Sequence, residues 1–141
     1  MELDVSPFDS FFSRTLPPIV SLEMVDSNGT VVFSTTGKWL YPLFELELFI
    51  KNHSLNPKEY FLHDRIAGKA AAALTYRLGF KNVKADMMSS LAAHLYDKHN
   101  IHYSYEVLVD RILCQTETLF EHLDDEQEIY SIVESRRAKS S

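Results

Sequence analysis

Hydrophobic and polar residues alternate along two short stretches near the start of the chain. Val20, Leu22 and Met24 are separated by small or polar residues, and a β-branched and aromatic run follows from Thr30 to Ser34. Alternation with a period of two is typical of strands. The polar stretch Asp26-Ser27-Asn28-Gly29 between the two runs is typical of a tight turn. The pattern therefore predicts an antiparallel hairpin.

After the hairpin the hydrophobic pattern predicts three helices, and a strand lies before or after each of the last two. Helical spacing predicts a helix from Pro42 to about Lys51, a second from Ile66 to Leu78 that stops at Gly79, and a third that Ser89 caps and that runs to about His99. A strand followed by a helix and another strand within roughly 30 residues implies parallel pairing with a right-handed crossover. The strands predicted between these helices are Glu59–His63, Asn82–Met87 and Ile101–Ser104.

These elements predict an α/β fold with three layers, α/β/α, around a mixed five-stranded sheet whose last three strands are parallel. The small side chains of the run Ala70–Ala73 suit a helix that lies close to a sheet. We divide the chain into an N-terminal leader (residues 1–18), a single domain (19–134) and a frayed tail (135–141). The domain includes C-terminal helices predicted over residues 106–134, and the phenylalanines of the leader predict that it docks on the domain.

Composition narrows the class of protein. The chain has 141 residues, 45% of them hydrophobic and 24% charged, as in ordinary globular domains. The net charge is −6, so the chain lacks the excess of basic residues that nucleic-acid binding generally needs, and we expect no nucleic-acid partner. We expect no membrane segment and no signal peptide, because no apolar run approaches about 18 residues and Met1–Asp4 carries no basic region. The single cysteine, Cys114, predicts a reducing, cytoplasmic setting, and self-association is left open.

The stretch from Asp64 to Lys69 carries the strongest functional signal. An apolar strand predicted to end at Asp64 is followed at once by a helix with Gly68 and Lys69 in its first turn. Free N–H groups and an ammonium at this edge of a sheet suit an anionic or carbonyl group, and Asp64 would accept ligand hydrogen bonds or act as a base. In the alternative interpretation Asp64 caps the helix, Gly68 allows tight packing and Lys69 is solvated.

Two serines extend the predicted site. Ser89 and Ser90 begin the next helix, and adjacent parallel strands place their carboxyl ends side by side. We therefore predict that Asp64, Gly68, Lys69, Ser89 and Ser90 line one ligand site.

Cys114 is a weak catalytic candidate beside Asp64 and Lys69. The next histidine along the chain is His122, eight residues on. Apolar neighbours favour a buried thiol that does no chemistry.

The order of these elements resembles a bacterial family called domain of unknown function 1893, over about Ser21 to Leu113. The most specific pieces are Asp64–Ala72, the strand–helix–strand Val83–Tyr105 and the closing Ser104-Tyr105-Glu106. The resemblance implies a cytidine-deaminase-like fold and no assigned activity. Past Leu113 this chain departs from the family pattern, which has a Gly- and Asn-bearing loop followed by Cys-Pro.

The residues do not match a zinc deaminase. Such enzymes need a His or Cys with a nearby Glu, then a Pro-Cys-x-x-Cys at the next helix start. His63-Asp64-Arg65 has no following Glu, Met87–Ser90 supplies no zinc ligand, and the chain has one cysteine. His94 and His99 are five apart, on different faces of a helix. We predict no metal and no cofactor.

Three classes of function remain. The first is a zinc-less deaminase-like domain that binds a small polar or nucleotide-like ligand at the Asp64–Lys69 junction. The second is a metal-independent enzyme that uses Asp64 and Lys69 as acid and base. The third is an interaction module that uses the acidic C-terminal helices, which carry seven acids between Glu117 and Glu134.

Overall fold

The structure, a computed structural model, describes residues 6–112 and 125–140. Its sheet has the strand order β2-β1-β3-β4-β5. Strand β1 is antiparallel to both of its neighbours, and β3, β4 and β5 are parallel. The mixed five-stranded sheet and the α/β class predicted from the sequence are confirmed. The strands are β1 (Leu22–Val25), β2 (Val31–Thr35), β3 (Phe61–Ala67), β4 (Asn82–Ser89) and β5 (His102–Val109).

The helices follow the strands in the predicted order. Over the described residues they are α1 (Tyr41–His53), α2 (Lys69–Leu78), α3 (Ser90–Lys98) and α4 (Glu126–Ser140), with short 3-10 helices at Asp9–Ser13 and Pro57–Glu59. No helix in this part of the chain has the length and apolar character needed to cross a bilayer.

Local chemistry explains several of the boundaries. In the hairpin turn, Asp26 Oδ1 accepts the N–H groups of Asn28 and Thr30, each at 2.9 Å. Helix α2 ends at Gly79, whose φ of +107° is costly for a residue with a side chain. Helix α3 begins after Ser89, whose Oγ accepts the Ala92 N–H at 3.0 Å. The predicted stop at Gly79 and cap at Ser89 are thus confirmed.

The predicted junction at Asp64 is wrong. Strand β3 continues through Asp64 to Ala67, and α2 begins at Lys69 instead of Ile66. Asp64 is paired with Leu22 on one side and Ala85 on the other, so the sheet holds it in extended backbone. Two-sided pairing overrides the low strand preference of aspartate. The N-cap of α2 is Gly68, and Asp64 therefore does not cap this helix.

The predicted C-terminal boundaries also differ. Strand β5 pairs with β4 as far as Val109, so the first residues of the helix predicted over 106–134 are strand. Helix α4 runs to Ser140, through most of the tail predicted as frayed over residues 135–141. Cys114 and the acids from Glu117 to Asp124 lie outside the described residues.

The main core lies between the helices and one face of the sheet. The alanine run Ala70–Ala73 is fully buried, as close helix–sheet packing requires. On the opposite face the leader packs through Phe8 against Phe61, with ring centroids 6.2 Å apart. The described layers are therefore helices, sheet and leader, with a 3-10 helix where a second helical layer was expected. Buried residues at the centre of the main core include Leu22, Met24, Leu46, Leu62, Phe80, Val83 and Ala85.

Candidate functional site

A cleft of about 190 Å³ opens between the residues that lead into α1 and the first turn of α2. Strands β2 and β3 are both antiparallel to β1, so their carboxyl ends reach the same edge of the sheet. The cleft lies at this edge, which is where open α/β sheets bind ligands. Its lining residues are Trp39, Leu40, Ile66, Gly68, Ala70, Ala71 and Ile112.

Trp39 forms an exposed aromatic wall of the cleft. The side chain leaves 39% of its surface exposed, and the residue has a φ of +56°, which is rare for a bulky side chain. Its ring makes edge-on contacts with Tyr41 and Phe44, at centroid distances of 5.4 and 5.9 Å. The two neighbouring rings therefore pack against the Trp39 indole beside the cleft. Its backbone conformation is of the kind that clusters at functional sites.

The opposite wall is the first turn of α2. Its first intrahelical bond runs from the Ala72 N–H to the Gly68 carbonyl at 3.0 Å. Ala70 and Ala71 precede that bond and both line the cleft, so their N–H groups have no acceptor within the helix. Gly68 presents no side chain at this point. The wall can thus offer backbone donors, at the positive end of the helix dipole, to an approaching acceptor.

Asp64 lies two residues before Ile66 on β3, about 7 Å along the strand and on the same side by strand alternation. Its carboxylate accepts the backbone N–H groups of Arg65 and Ile66, but desolvation is stronger and raises the pKa of Asp64 to about 7. Burial raises the pKa of the Tyr96 hydroxyl, and the negative charge of Asp64 raises it further. A hydrogen bond with Thr75 opposes both effects. Asp64 is thus a carboxyl group that changes charge near neutral pH.

The other residues of the predicted site lie elsewhere. Lys69, the first residue of α2, is only 4% exposed, so the alternative interpretation of a solvated lysine is wrong. Ser89 is buried and caps α3, while Ser90 Oγ donates to the Val109 carbonyl at 3.3 Å. Of the five predicted ligand-binding residues, Gly68 is the one that lines the cleft. Their role in binding stays a prediction, and Cys114 lies outside the described residues.

A wider groove of about 580 Å³ lies near the opposite edge of the sheet. It runs between the leader residues Ser6–Phe8 and the turn at Asp26–Ser27, and reaches Asn82 at the start of β4. The amino ends of parallel strands lack the converging helix N-termini that hold ligands in such sheets. We therefore take the smaller cleft as the candidate site.

Sequence reasoning missed a charged surface on the leader side of the sheet. Glu23, His63 and Lys84 form one row across β1, β3 and β4, and all three are buried. Two residues further along, Arg65 and Asp86 form the next row, joined at 3.0 Å. The signal was present in the sequence, because polar residues at alternate positions of β3 and β4 must share one face.

Metal-ligand geometry is not found in the described ranges, 6–112 and 125–140, where no three His, Cys, Asp or Glu side chains form a group able to hold an ion. His63 Nε2 bonds Asp86 Oδ1 at 2.7 Å. His99 stacks on Tyr76 with centroids 3.7 Å apart and bonds Glu126 at 2.6 Å.

Helix α4 is held against the domain by polar contacts as well as by its buried apolar residues. Glu126 joins His99 at 2.6 Å and Lys98 at 3.3 Å. The Arg77 guanidinium lies 3.6 Å from the centroid of the Tyr130 ring. Glu126, at the first turn of α4, is therefore engaged inside the chain.

The fold and the cleft define an α/β protein with a mixed five-stranded sheet and a single helical layer over its described part. The chain belongs to the family described as Domain of unknown function (DUF1893), which matches residues 20–136. It is similar to the crystal structure of a DUF1893 family protein from Thermotoga maritima, with a TM-score of 0.75 and 26% sequence identity. That similarity covers 83% of this chain and 80% of the other. No curated protein matches this chain.

Proposed function

We propose that this protein binds a small ligand with a planar ring and a polar or anionic group, as a nucleotide has, in the cleft between α1 and α2. The observation that carries the proposal is that the exposed Trp39 side chain and the N-terminus of α2 line the same cleft. The ligand class is the one predicted from the sequence. Its position moves from the Asp64–Lys69 junction to the α1 side of α2.

Each wall of the cleft supports one part of such a ligand. An indole face accepts any flat ring by stacking, which contributes about 1–3 kcal/mol per nucleic-acid base. The N–H groups of Ala70 and Ala71 suit the anionic or carbonyl part, since a helix N-terminus binds anions without a charged side chain. The remaining wall is apolar through Leu40 and Ile66, and so suits the apolar surface of a ring.

Calorimetry on a small set of probes tests this proposal. The probes are adenosine and cytidine monophosphates, the two nucleosides, and inorganic phosphate. We expect a monophosphate to bind more tightly than its nucleoside or phosphate alone, because only the monophosphate uses both walls.

Two alanine variants of exposed aromatic residues make the test specific. Trp39→Ala should weaken binding by about 1–3 kcal/mol, roughly 5- to 150-fold. Tyr105→Ala is the matched control, since Tyr105 is similarly exposed on β5 and does not line the cleft. Equal affinity in both variants would remove the support for stacking on Trp39.

A metal-independent enzyme is the second candidate, and the carboxyl group of Asp64 favours it. An acid–base catalyst works best when its pKa lies near the working pH, and burial raises the pKa of Asp64 to about 7. Hydrolysis assays on nucleosides and simple amides would show a rate that changes near pH 7. Asp64→Asn should abolish that rate and leave ligand affinity within a few-fold of wild type.

A further inference from the structure

The leader, of which the structure describes residues 6–18, is tied to the sheet through the buried side chain of His63. The Nδ1 atom of His63 lies 2.8 Å from Arg14 Nη1, and its Nε2 atom lies 2.7 Å from Asp86 Oδ1. The imidazole is fully buried between these partners. Both ring nitrogens are therefore used, one toward the leader and one toward β4.

The chemistry of the partners fixes the protonation state of His63. A guanidinium group only donates hydrogen bonds, so His63 Nδ1 must accept and cannot carry a proton. Asp86 accepts the proton on Nε2. Docking of Arg14 on this face thus requires the neutral Nε2–H form of His63.

Charged groups from every neighbouring element face this imidazole. Arg14 Nη2 lies 2.6 Å from Glu23 Oε1, which compensates the guanidinium charge. Burial is the largest cause that lowers the pKa of His63, and Arg14 and Lys84 lower it further while Asp86 opposes them. The complete set is Arg14 on the leader, Glu23 on β1, Arg65 on β3, Lys84 and Asp86 on β4, and Glu106 on β5, which pairs with Lys84 at 2.9 Å.

Two other anchors flank the Arg14 contact along the leader. On one side Phe12 packs edge-on against Phe61, with centroids 5.1 Å apart. On the other side Arg65 Nη2 donates to the Pro17 carbonyl at 2.6 Å. Neither anchor takes up a proton near neutral pH. Between them Arg14 is held by His63, by Glu23 and by Lys84 Nζ, which donates to the Arg14 carbonyl at 2.8 Å, and of these contacts the one to His63 requires a neutral imidazole.

We propose that His63 is an acid-sensitive latch for the leader around Arg14. A proton added to Nδ1 removes the acceptor of the Arg14 hydrogen bond and sets two cationic donors against each other. The Arg14 guanidinium then withdraws from the imidazole and is held by Glu23 and Lys84 alone, so the leader opens more easily between its two anchors and exposes the His63–Asp86 pair. The anchors on Phe61 and Arg65 keep the rest of the leader in place.

Nitrogen-15 NMR of the full chain between pH 8 and pH 4 tests the latch. At pH 8 we expect His63 to be neutral with its proton on Nε2. The titration midpoint of His63 should lie below 6.5, and the amide signals of Arg14 and Thr15 should move with that midpoint. The amide of Gly79, at the end of α2, serves as a reporter of global unfolding and should not move in this step.

Three variants separate the latch from an unrelated titration. Arg14→Gln should raise the midpoint of His63 because it removes a cation from the ring. His63→Gln should abolish the pH-dependent shift of the leader amides, whereas His94→Gln, which changes an exposed histidine, should leave it unaltered. If His63→Gln does not fold, the wild-type titration and Arg14→Gln decide the question.

Three results would overturn the proposal. They are a proton on Nδ1 at pH 8, leader amides that stay unchanged while His63 titrates, and leader and Gly79 amides that change together in one global transition.

Discussion

Arg65 and Asp86 lie side by side on β3 and β4, and Arg65 Nη1 donates to Asp86 Oδ2 at 3.0 Å. The second terminal nitrogen of Arg65 is surrounded by the carbonyl oxygens of Pro17, Pro18 and Val20, at 2.6, 3.0 and 2.7 Å. One guanidinium group therefore fixes the point where the leader joins the sheet.

The first prediction concerns this joint. Arg65→Lys should lower the free energy of unfolding by about 1–3 kcal/mol, because an ammonium cannot reach a carboxylate and several carbonyl groups in the same plane. Urea denaturation measures the loss. Arg111→Lys, at an exposed arginine, should stay within about 0.5 kcal/mol of wild type. An equal loss of unfolding free energy in both variants would show that the contacts of Arg65 with the three carbonyl oxygens do not stabilise the fold.

The contacts of Arg65 also show what the pattern of residues along the chain can and cannot predict. The alternation of His63 with Arg65, and of Lys84 with Asp86, is typical of strands that share a polar face, although this face was missed from the sequence. It could not predict that the leader would cover this face, because the contacts join residues more than 40 positions apart. The sequence pattern ended this strand at His63, whereas β3 continues through Arg65 to Ala67.

A second prediction concerns the pH dependence of stability through Asp64. The pKa of this carboxyl is raised from 3.8 to about 7 in the folded chain. Between these values the folded chain binds more protons than the unfolded chain, so the contribution of Asp64 to stability is complete below pH 3.8 and falls as the pH rises to about 7. Asp64→Asn has no such proton to lose.

The difference in the free energy of unfolding between wild type and Asp64→Asn isolates the contribution of Asp64. The stability of Asp64→Asn relative to wild type should rise with pH from about 4 to about 7 and then level off, as measured by urea denaturation at several pH values. Taking the difference cancels His63, whose lowered pKa makes stability fall as the pH drops below 6.5. A difference that stays flat from pH 4 to pH 7 would contradict an elevated pKa for Asp64.

Lys69 gives a third prediction, about stability. Because its side chain is buried at the start of α2, Lys69→Ala should lower the free energy of unfolding by about 1–3 kcal/mol through lost packing and unpaired groups. Lys51→Ala, at an exposed lysine of α1, should stay within about 0.5 kcal/mol of wild type. Thermal or urea denaturation that finds Lys69→Ala as stable as Lys51→Ala would contradict the buried placement.

A fourth prediction compares two glycines at the ends of α2. Gly79→Ala should destabilise the protein by about 1–2 kcal/mol, because alanine is strained at a φ of +107°. Gly68→Ala should cost less, since Gly68 has a φ of −96° that any residue adopts. Circular dichroism melting curves of the two variants measure the difference, and a reversed order would contradict the left-handed end of α2.

The candidate site shows why a single strand–helix junction in the sequence is not enough to predict where a ligand cleft lies. Gly68 was predictable as a cleft residue, because a glycine beside an alanine-rich helix is a local signal, although the helix itself was predicted to begin at Ile66 instead of Lys69. The partner wall at Trp39 was not, since β2 and its following loop reach the same sheet edge only through the antiparallel β1. Strand pairing of this kind is a long-range property. The sequence therefore placed the crevice on the α3 side of α2, at Ser89 and Ser90.

The fluorescence of Trp39 tests the binding proposal most directly, because it is the only tryptophan of the chain and it lines the cleft. Titration with adenosine monophosphate should quench or shift this emission with a saturable curve. Gly68→Val, which fills the cleft from a backbone conformation that valine accepts, should weaken the response at least tenfold, while Gly68→Ala should weaken it less. A monophosphate that binds by calorimetry, yet leaves the Trp39 emission unchanged and binds Gly68→Val as tightly as wild type, would contradict the α1–α2 cleft as the site.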